Sequence, residues 1–546
     1  MSAIARLSLR DLQNEVGEDL LERLNQLLPL VDHEFVDGDL YNSKAFLDKI
    51  FLSFGGAEKL RAIDFRTRLL NHLTSAEVGR LSSDLGLAAT GVFEEDVDRI
   101  AEQGWSKESI CKTLLRSFGL PEALAPRPKA VASGYSVEPG PSHRFRPLLE
   151  YQSSVFFEAM RRLQIQRSRF VIQMPTGSGK TRTAVEIIAA TIQAKNCDVV
   201  WLAHSSELCM QAIDSFRSIW SHVGDREVGV AGFFGDRKVT FAEDFDGPVF
   251  TVAGFQRLQR RVEGPDPLPS FLRRERIGLV VVDEAHKVIA PTYKKITQAL
   301  LGSRACCIGL TATPGRSVID LDNNGELAAF FFERIVSFDT AGDDPISYLR
   351  KRRVLSYGEY VPLQTNLTFS LTSSEKAAAE KFLDLPAGFL RRVGADVIRN
   401  AEIVRRLIAL AKEGKQIIFF ACSVEHSRFI CSVLSYLGVS AAHIDGTTNS
   451  ELRDQFTEGF RGGEVSVLCN FEVLSTGFDA PKTDVVFIAR PTSSLVLYSQ
   501  MIGRGMRGPV VGGTESCLII DVKDNIIGFS DIERTYSFFE EYWTQR

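Results

Sequence analysis

From about residue 168 the chain alternates two textures. Short runs that are apolar at nearly every position, RFVIQM, DVVWLA, PVFTVA, IGLVVVD and ACCIGL, are separated by longer stretches whose apolar residues recur at helical spacing. A strand that is apolar on both faces must be covered on both faces, and the intervening recurrence is that of covering helices. The pattern predicts a parallel α/β sheet. A second series begins near 416 with QIIFFA, EVSVLCN, TDVVFIA and SCLIIDV, so two α/β domains in tandem are expected. Between the two series, 320–415 is mixed, with helical spacing in SSEKAAAEKFLDLP and in NAEIVRRLIALAKEG, which leads into the second sheet.

The first 120 residues read as helices. Leu20, Leu21, Leu24, Leu27 and Leu28 lie at helical spacing, and LLNHLTSAEVGRLSSDLG holds another such face. Residues 121–142 are rich in Pro, Ala, Ser and Gly, the composition of a linker. The expected organisation is therefore a helical domain at 1–120, a linker at 121–142, and α/β domains at 143–345 and 346–546. Charge separates the front end from the rest. Residues 1–140 carry 16 of the 64 basic and 22 of the 69 acidic residues, so the excess of acid lies there. Such a segment repels phosphates on average. It is expected to dock a protein partner or regulate the α/β domains, or to act as a passive buttress packed on the first of them. Basic clusters lie behind it, at 161–169, 257–261, 273–276 and 350–353. The nine cysteines include no C-x-x-C pair, which argues against structural zinc and disulfides. Without an apolar run of about 18 residues or a signal-peptide pattern, a cytoplasmic protein is expected.

The chemistry begins directly after RFVIQM. MPTGSGKT, Met174 to Thr181, opens a helical stretch, and strand, glycine loop and helix in that order make a phosphate-binding loop. The backbone N–H groups of Thr176, Gly177, Ser178 and Gly179 would cradle phosphates, Lys180 would reach the β- and γ-oxygens, and the Thr181 hydroxyl would ligate Mg²⁺. Met174 stands where the strict pattern has glycine. GLVVVDEAH (278–286) supplies the second half of an ATP site: Asp283 for the magnesium, Glu284 to orient or deprotonate the attacking water. Near the end, QMIGRGMRG (500–508) places Arg504 and Arg507 at i, i+3, one face of a helix, with Gly503 and Gly505 leaving room for a large anion.

DEAH at 283–286 followed by TATP at 311–314 resembles the signature of superfamily 2 helicases and translocases, and the resemblance runs from about 143 to 525. It implies two tandem RecA-like parallel-sheet domains behind the all-α N-terminal domain, closing over one ATP with Mg²⁺. LLEYQ (148–152) resembles the segment whose glutamine contacts adenine, which nominates Gln152. WLAHSSELCMQ (201–211) and VAGFQRL (252–258) resemble the segments that touch the nucleic-acid backbone, with Gly254 where a threonine is common. Thr311 and Thr313 of TATP are implied as coupling residues. IIFFACSVEHS (417–427), HIDGTT (443–448) and VLCNFEVLSTGFDAP (467–481) resemble the motifs of the second domain, where Gly477 and Asp479 would link the ATP cleft to the bound strand. The segment 500–508 resembles the last motif: Gln500 would sit near the attacking water, and Arg504 and Arg507 would reach the γ-phosphate across the interdomain cleft. The spelling of GRGMR, TGFDAP and LIIDVKDN is most similar to the branch near type I restriction motors and bacterial DNA-repair helicases, which implies an ATP-dependent motor on DNA in a defence or repair complex. An RNA helicase and an ATP-switched scaffold for a nuclease partner are the alternatives. No nuclease signature accompanies these motifs.

Overall fold

The computed structural model describes residues 6–31, 60, 62–104, 107–118, 135–138, 147–235, 245–262, 272, 275–302, 304–312, 321–340, 342–382, 384–446, 448, 450–471, 473, 482–492 and 494–527. Two sheets organise it. In the first lobe the strands are β1 (Tyr135–Glu138), β2 (Arg169–Gln173), β3 (Asp198–Ala203), β4 (Val228–Phe233), β5 (Val249–Gly254), β6 (Ile277–Val282), β7 (Cys306–Thr311) and β8 (Ile335–Val336), in spatial order β1-β4-β5-β3-β6-β7-β2-β8. All pair in parallel except β1 on β4. β3, β4, β5 and β7 are buried at every position, as strands covered by helices on both faces must be. β1 lies inside the stretch expected to be linker, so part of that stretch is an edge strand of the first sheet.

The second lobe has strands β9 (Tyr357–Ser370), β10 (Ile417–Phe420), β11 (Ala441–Ile444), β12 (Val467–Asn470), β13 (Val485–Ile488) and β14 (Ser516–Ile527), in the order β11-β12-β10-β13-β14-β9 and wholly parallel. β9 falls in the region read as mixed. It is an edge strand whose residues alternate between exposed and half-buried, so it lacks the continuous apolar run that marks its neighbours.

Six helices are described in front of the first lobe: Leu9–Val16, Glu18–Val31, Ile63–Leu70, Ser75–Asp84, Phe93–Ala101 and Glu108–Phe118. Leu21, Leu24, Leu27 and Leu28 are buried as their spacing predicts. Part of the surface that buries them belongs to the second lobe. Helix Glu18–Val31 packs on helix Val397–Lys412, its leucines share one core with Ala401, Val404 and Leu407, and the Arg23 guanidinium lies 4.2 Å from the Phe429 ring centroid. The expectation of a buttress on the first lobe is thereby corrected. Linker residues 121–134 and 139–142 lie outside the described residues.

Candidate nucleotide site between the lobes

The glycine loop emerges from β2 with its root tied to the next strand, since the Met174 N–H donates to the Thr311 carbonyl of β7 at 3.1 Å. Gly177 and Gly179 both have φ of +83°, a left-handed backbone that side chains disfavour. The loop is braced from beneath by the helix Glu150–Arg162. Tyr151 Oη and Gln152 Nε2 both donate to the Ser178 carbonyl, at 2.5 and 3.0 Å, and the Leu149 N–H donates to Gln152 Oε1 at 3.0 Å. Lys180 and Thr181 begin the helix Lys180–Lys195, whose N-terminal N–H groups and dipole make an anion site.

The acidic pair lies two strands away, with β7 between. The Asp283 N–H donates to the Leu202 carbonyl of β3 at 2.9 Å, extending the sheet by one bond past β6, and Asp283 Oδ1 accepts from the Glu284 N–H at 3.0 Å. Glu284 has φ of +52°, a left-handed conformation that costs a non-glycine residue energy and concentrates at functional sites. Burial, and then the charge of Glu284, push Asp283 up to about 7, against the pull of Lys180. Burial acts on Glu284 in the same sense, but Lys180, His286 and His204 together outweigh it, and its carboxyl is held below the usual range. The two buried carboxyls are thus pushed apart, Asp283 upward and Glu284 downward.

The second lobe completes the cleft. Helix Leu495–Ile502 carries Gln500, whose Nε2 donates to Glu284 Oε1 at 3.0 Å, while His286 Nδ1 lies 3.4 Å from Glu284 Oε2. The same helix is fixed to its sheet by Tyr498 Oη, which donates to Asp521 Oδ2 of β14 at 3.1 Å. Gly503 lies so close to the phosphate loop that a Cβ there would overlap the Thr176 side chain. Arg504 and Arg507 are half-buried, and the helical face predicted for them does not form. The helix ends at Ile502; Arg504 lies in the following turn, and Arg507 pairs with Leu355 in an antiparallel bridge. The flanking glycines also serve packing instead of anion approach, because side chains would meet Thr176 at 503 and Cys517 Sγ at 505.

The structure thus brings Gln152, Thr176, Gly177, Ser178, Gly179, Lys180, Thr181, Asp283, Glu284 and Thr311 together in the first lobe and sets Gln500 on Glu284 and Gly503 on Thr176, with Arg504 in the turn that follows and Arg507 bridged to Leu355. Thr313, Gly477 and Asp479 lie outside the described residues. Sequence reasoning passed over Tyr151, His204, His286 and Leu355. Tyr151 and His286 stand inside recognised motifs, beside nominated residues; Leu355 lies in no recognisable pattern.

Comparison with known proteins agrees with this geometry. Residues 146–316 match the family described as "Type III restriction enzyme, res subunit", and residues 399–508 match "Helicase conserved C-terminal domain". The chain belongs to the superfamily 2 helicases, its first domain matching the type III restriction subunit family. It is 29% identical over 388 residues to a Schizosaccharomyces pombe protein with the provisional name "mitochondrial ATP-dependent helicase irc3", an alignment covering 69% of this chain and 58% of that protein. It is 25% identical over 389 residues to a Saccharomyces cerevisiae protein with the provisional name "ATP-dependent helicase IRC3", covering 68% of this chain and 51% of that one. The chain thus spans little more than half the length of these curated relatives. A fragment provisionally assigned as the HsdR subunit of a type I restriction enzyme from Vibrio vulnificus YJ016 shares the fold, with a TM-score of 0.50 at 19% identity over 74% of this chain and 67% of that one. Among the described residues no helix is long and apolar enough to cross a membrane.

Proposed function

We propose that this superfamily 2 helicase is an ATP-dependent nucleic-acid motor that hydrolyses ATP to move along or unwind DNA. One contact carries the reading: Gln500 of the second lobe meets Glu284 of the first at 3.0 Å, so the acidic pair and the arginine segment share one site. The loop N–H groups and Lys180 hold the phosphates. Gln152, which braces the loop through the Ser178 carbonyl, is the residue that the resemblance of LLEYQ nominates for the adenine contact. Glu284 orients the attacking water with Gln500, and Arg504 and Arg507 stabilise charge developing on the transferred phosphoryl group. Thr181 and Asp283 form an oxygen-only donor set, and a cation bound there would hold the buried Asp283 as its carboxylate, which fits Mg²⁺. When bound, the ion neutralises charge on the phosphate oxygens. Thr311, Thr313, Gly477 and Asp479 pass the state of the cleft to the bound strand.

DNA is proposed over RNA on the spelling of GRGMR, TGFDAP and LIIDVKDN and on basic clusters such as 161–162 and 350–353. The cytoplasm is the proposed compartment, and the helical residues 1–120 are the proposed contact for a protein partner. The test is ATP turnover with no nucleic acid, single-stranded DNA, duplex DNA, forked DNA and RNA, at two salt concentrations. DNA is expected to stimulate more than RNA of equal length, and salt to weaken the stimulation. Stimulation by RNA alone would replace this reading with an RNA helicase.

A further inference from the structure

The connection between the lobes does more than join them. Phe338, just past the first sheet, sets its ring edge-on to Tyr151 at 5.2 Å, and Tyr151 is the residue that donates to the Ser178 carbonyl of the phosphate loop. The Tyr348 ring follows at 5.5 Å from Phe338, on the short helix Pro345–Lys351. The chain then turns back to the same loop. Leu355, 2% exposed, brings Cδ2 to 3.1 Å from where a Gly177 Cβ would stand, and the carbonyls of Gly503 and Met506 lie at 3.9 Å from that point. The connector therefore reaches the phosphate loop twice, through Tyr151 beneath Ser178 and directly against Gly177.

Its other edge is bonded to the arginine segment. The Ser356 N–H donates to the Met506 carbonyl at 3.0 Å, the Gly508 N–H to Val354 at 2.8 Å and the Val510 N–H to Arg353 at 3.1 Å, flanking the Leu355–Arg507 bridge. Ser356 Oγ lies between the carbonyls of Arg507 and Thr514, at 2.5 and 2.6 Å, and donates to one of them. One short stretch, 353–356, is thus packed on the phosphate loop through a leucine side chain and bonded to the arginine segment through its backbone.

We infer that Leu355 is a positioning residue, through which the conformation of the phosphate loop sets the placement of Arg504 and Arg507. The inference rests on the function proposed above and assigns it a mechanical route. Close-packed apolar contacts transmit displacement because no void absorbs it. If nucleotide binding shifts Gly177, Leu355 must shift with it, and the backbone bonds of 353–356 carry the motion to Arg507. Contact between arginine and phosphate is then prepared from the loop side before the two meet.

The test compares Leu355→Ala, the volume-conserving Leu355→Met and Ser356→Ala with the wild type. ATP turnover is measured against ATP concentration, with and without duplex DNA, together with thermal melting. Leu355→Ala is expected to lower DNA-stimulated kcat about tenfold while KM changes less than about twofold, because misplacing a charge-stabilising group falls mainly on the transition state. Leu355→Met is expected to restore most of the rate, and Ser356→Ala to show a weaker form of the defect. A folded Leu355→Ala protein with wild-type kcat and DNA stimulation overturns the inference. Hydrogen exchange of 506–513 on adding ADP is the second readout. Slower exchange in the wild type but not in Leu355→Ala supports the route, and equal slowing in both overturns it. A wild type that hydrolyses no ATP sinks the proposed function instead, and the exchange result still decides the role of Leu355.

Discussion

At the scale of single residues, several side chains do their work through a neighbour. Asp521 is an example. It is fully buried in β14, takes bonds from Tyr498 Oη at 3.1 Å and Tyr360 Oη at 3.3 Å, and is pushed up to about 7 chiefly by burial, with Asp524 pushing the same way and the two tyrosines and Lys523 pulling against it. Its folded pKa is raised above the unfolded one, so its contribution to stability is full below about pH 4 and is lost as pH rises through 7. Asp521→Asn keeps an acceptor for Tyr498 and removes the titration. The melting temperature of the variant relative to wild type is expected to rise between pH 4 and 7 and to level above. A difference independent of pH would show that Asp521 is ionised throughout. Lys180, Asp283 and Glu284 were legible in the sequence because phosphate and water chemistry demand those types at the ends of apolar strands. Tyr151, His204 and Leu355 were not, because brace, field and wedge can each be supplied by many residue types from many positions. Gly503 and Gly505 stood out in the sequence for the wrong reason: the glycines answer to Thr176 and Cys517, which only the tertiary contacts reveal.

At the scale of elements, the continuous apolar runs identified β2, β3, β5, β6, β7, β10, β12, β13 and β14 correctly, since strands covered on both faces leave no other pattern. Most of the misses share a physical cause; β4, buried at every position between β1 and β5, is the exception, its VGVAGF run being broken by two glycines. β1, β8 and β9 are edge strands, held on one side only, and their sequences need not be apolar throughout. β11 is also an edge strand, half-buried at alternate positions, and its sequence stands out only where it runs into HIDGTT. The error over Arg504 and Arg507 belongs here too. Their spacing of three suits a helix, but helix Leu495–Ile502 stops two residues earlier, and a turn followed by a bridge to Leu355 sets their directions instead.

At the scale of the whole molecule, the helical front end travels with the second lobe. The leucines of Glu18–Val31 were correctly read as a buried face, but an apolar stripe does not name the surface that will cover it, and part of the covering surface proved to be helix Val397–Lys412. Deleting residues 1–120 removes the helix packed on Val397–Lys412 and uncovers apolar side chains of the core that the two share. Burying one such side chain contributes about 1.5–3 kcal/mol, so the shortened protein should melt several degrees lower while still binding nucleotide. Unchanged melting would mean that the front end contributes nothing to the second lobe. Loss of a co-purifying partner with the same deletion would add a docking role to the packing role.

On the proposed function one ATP is processed between the two lobes, so Arg504 must act on it from the second. The measurement is DNA-stimulated ATP turnover and ATP affinity of Arg504→Ala, with Lys180→Ala as the inactive reference. A finger acting on the transition state is worth about 10³–10⁵ in rate, so turnover should fall by orders of magnitude while ATP binding weakens far less. Wild-type turnover in folded Arg504→Ala, or equal losses of binding and rate, would contradict a site built across the two lobes.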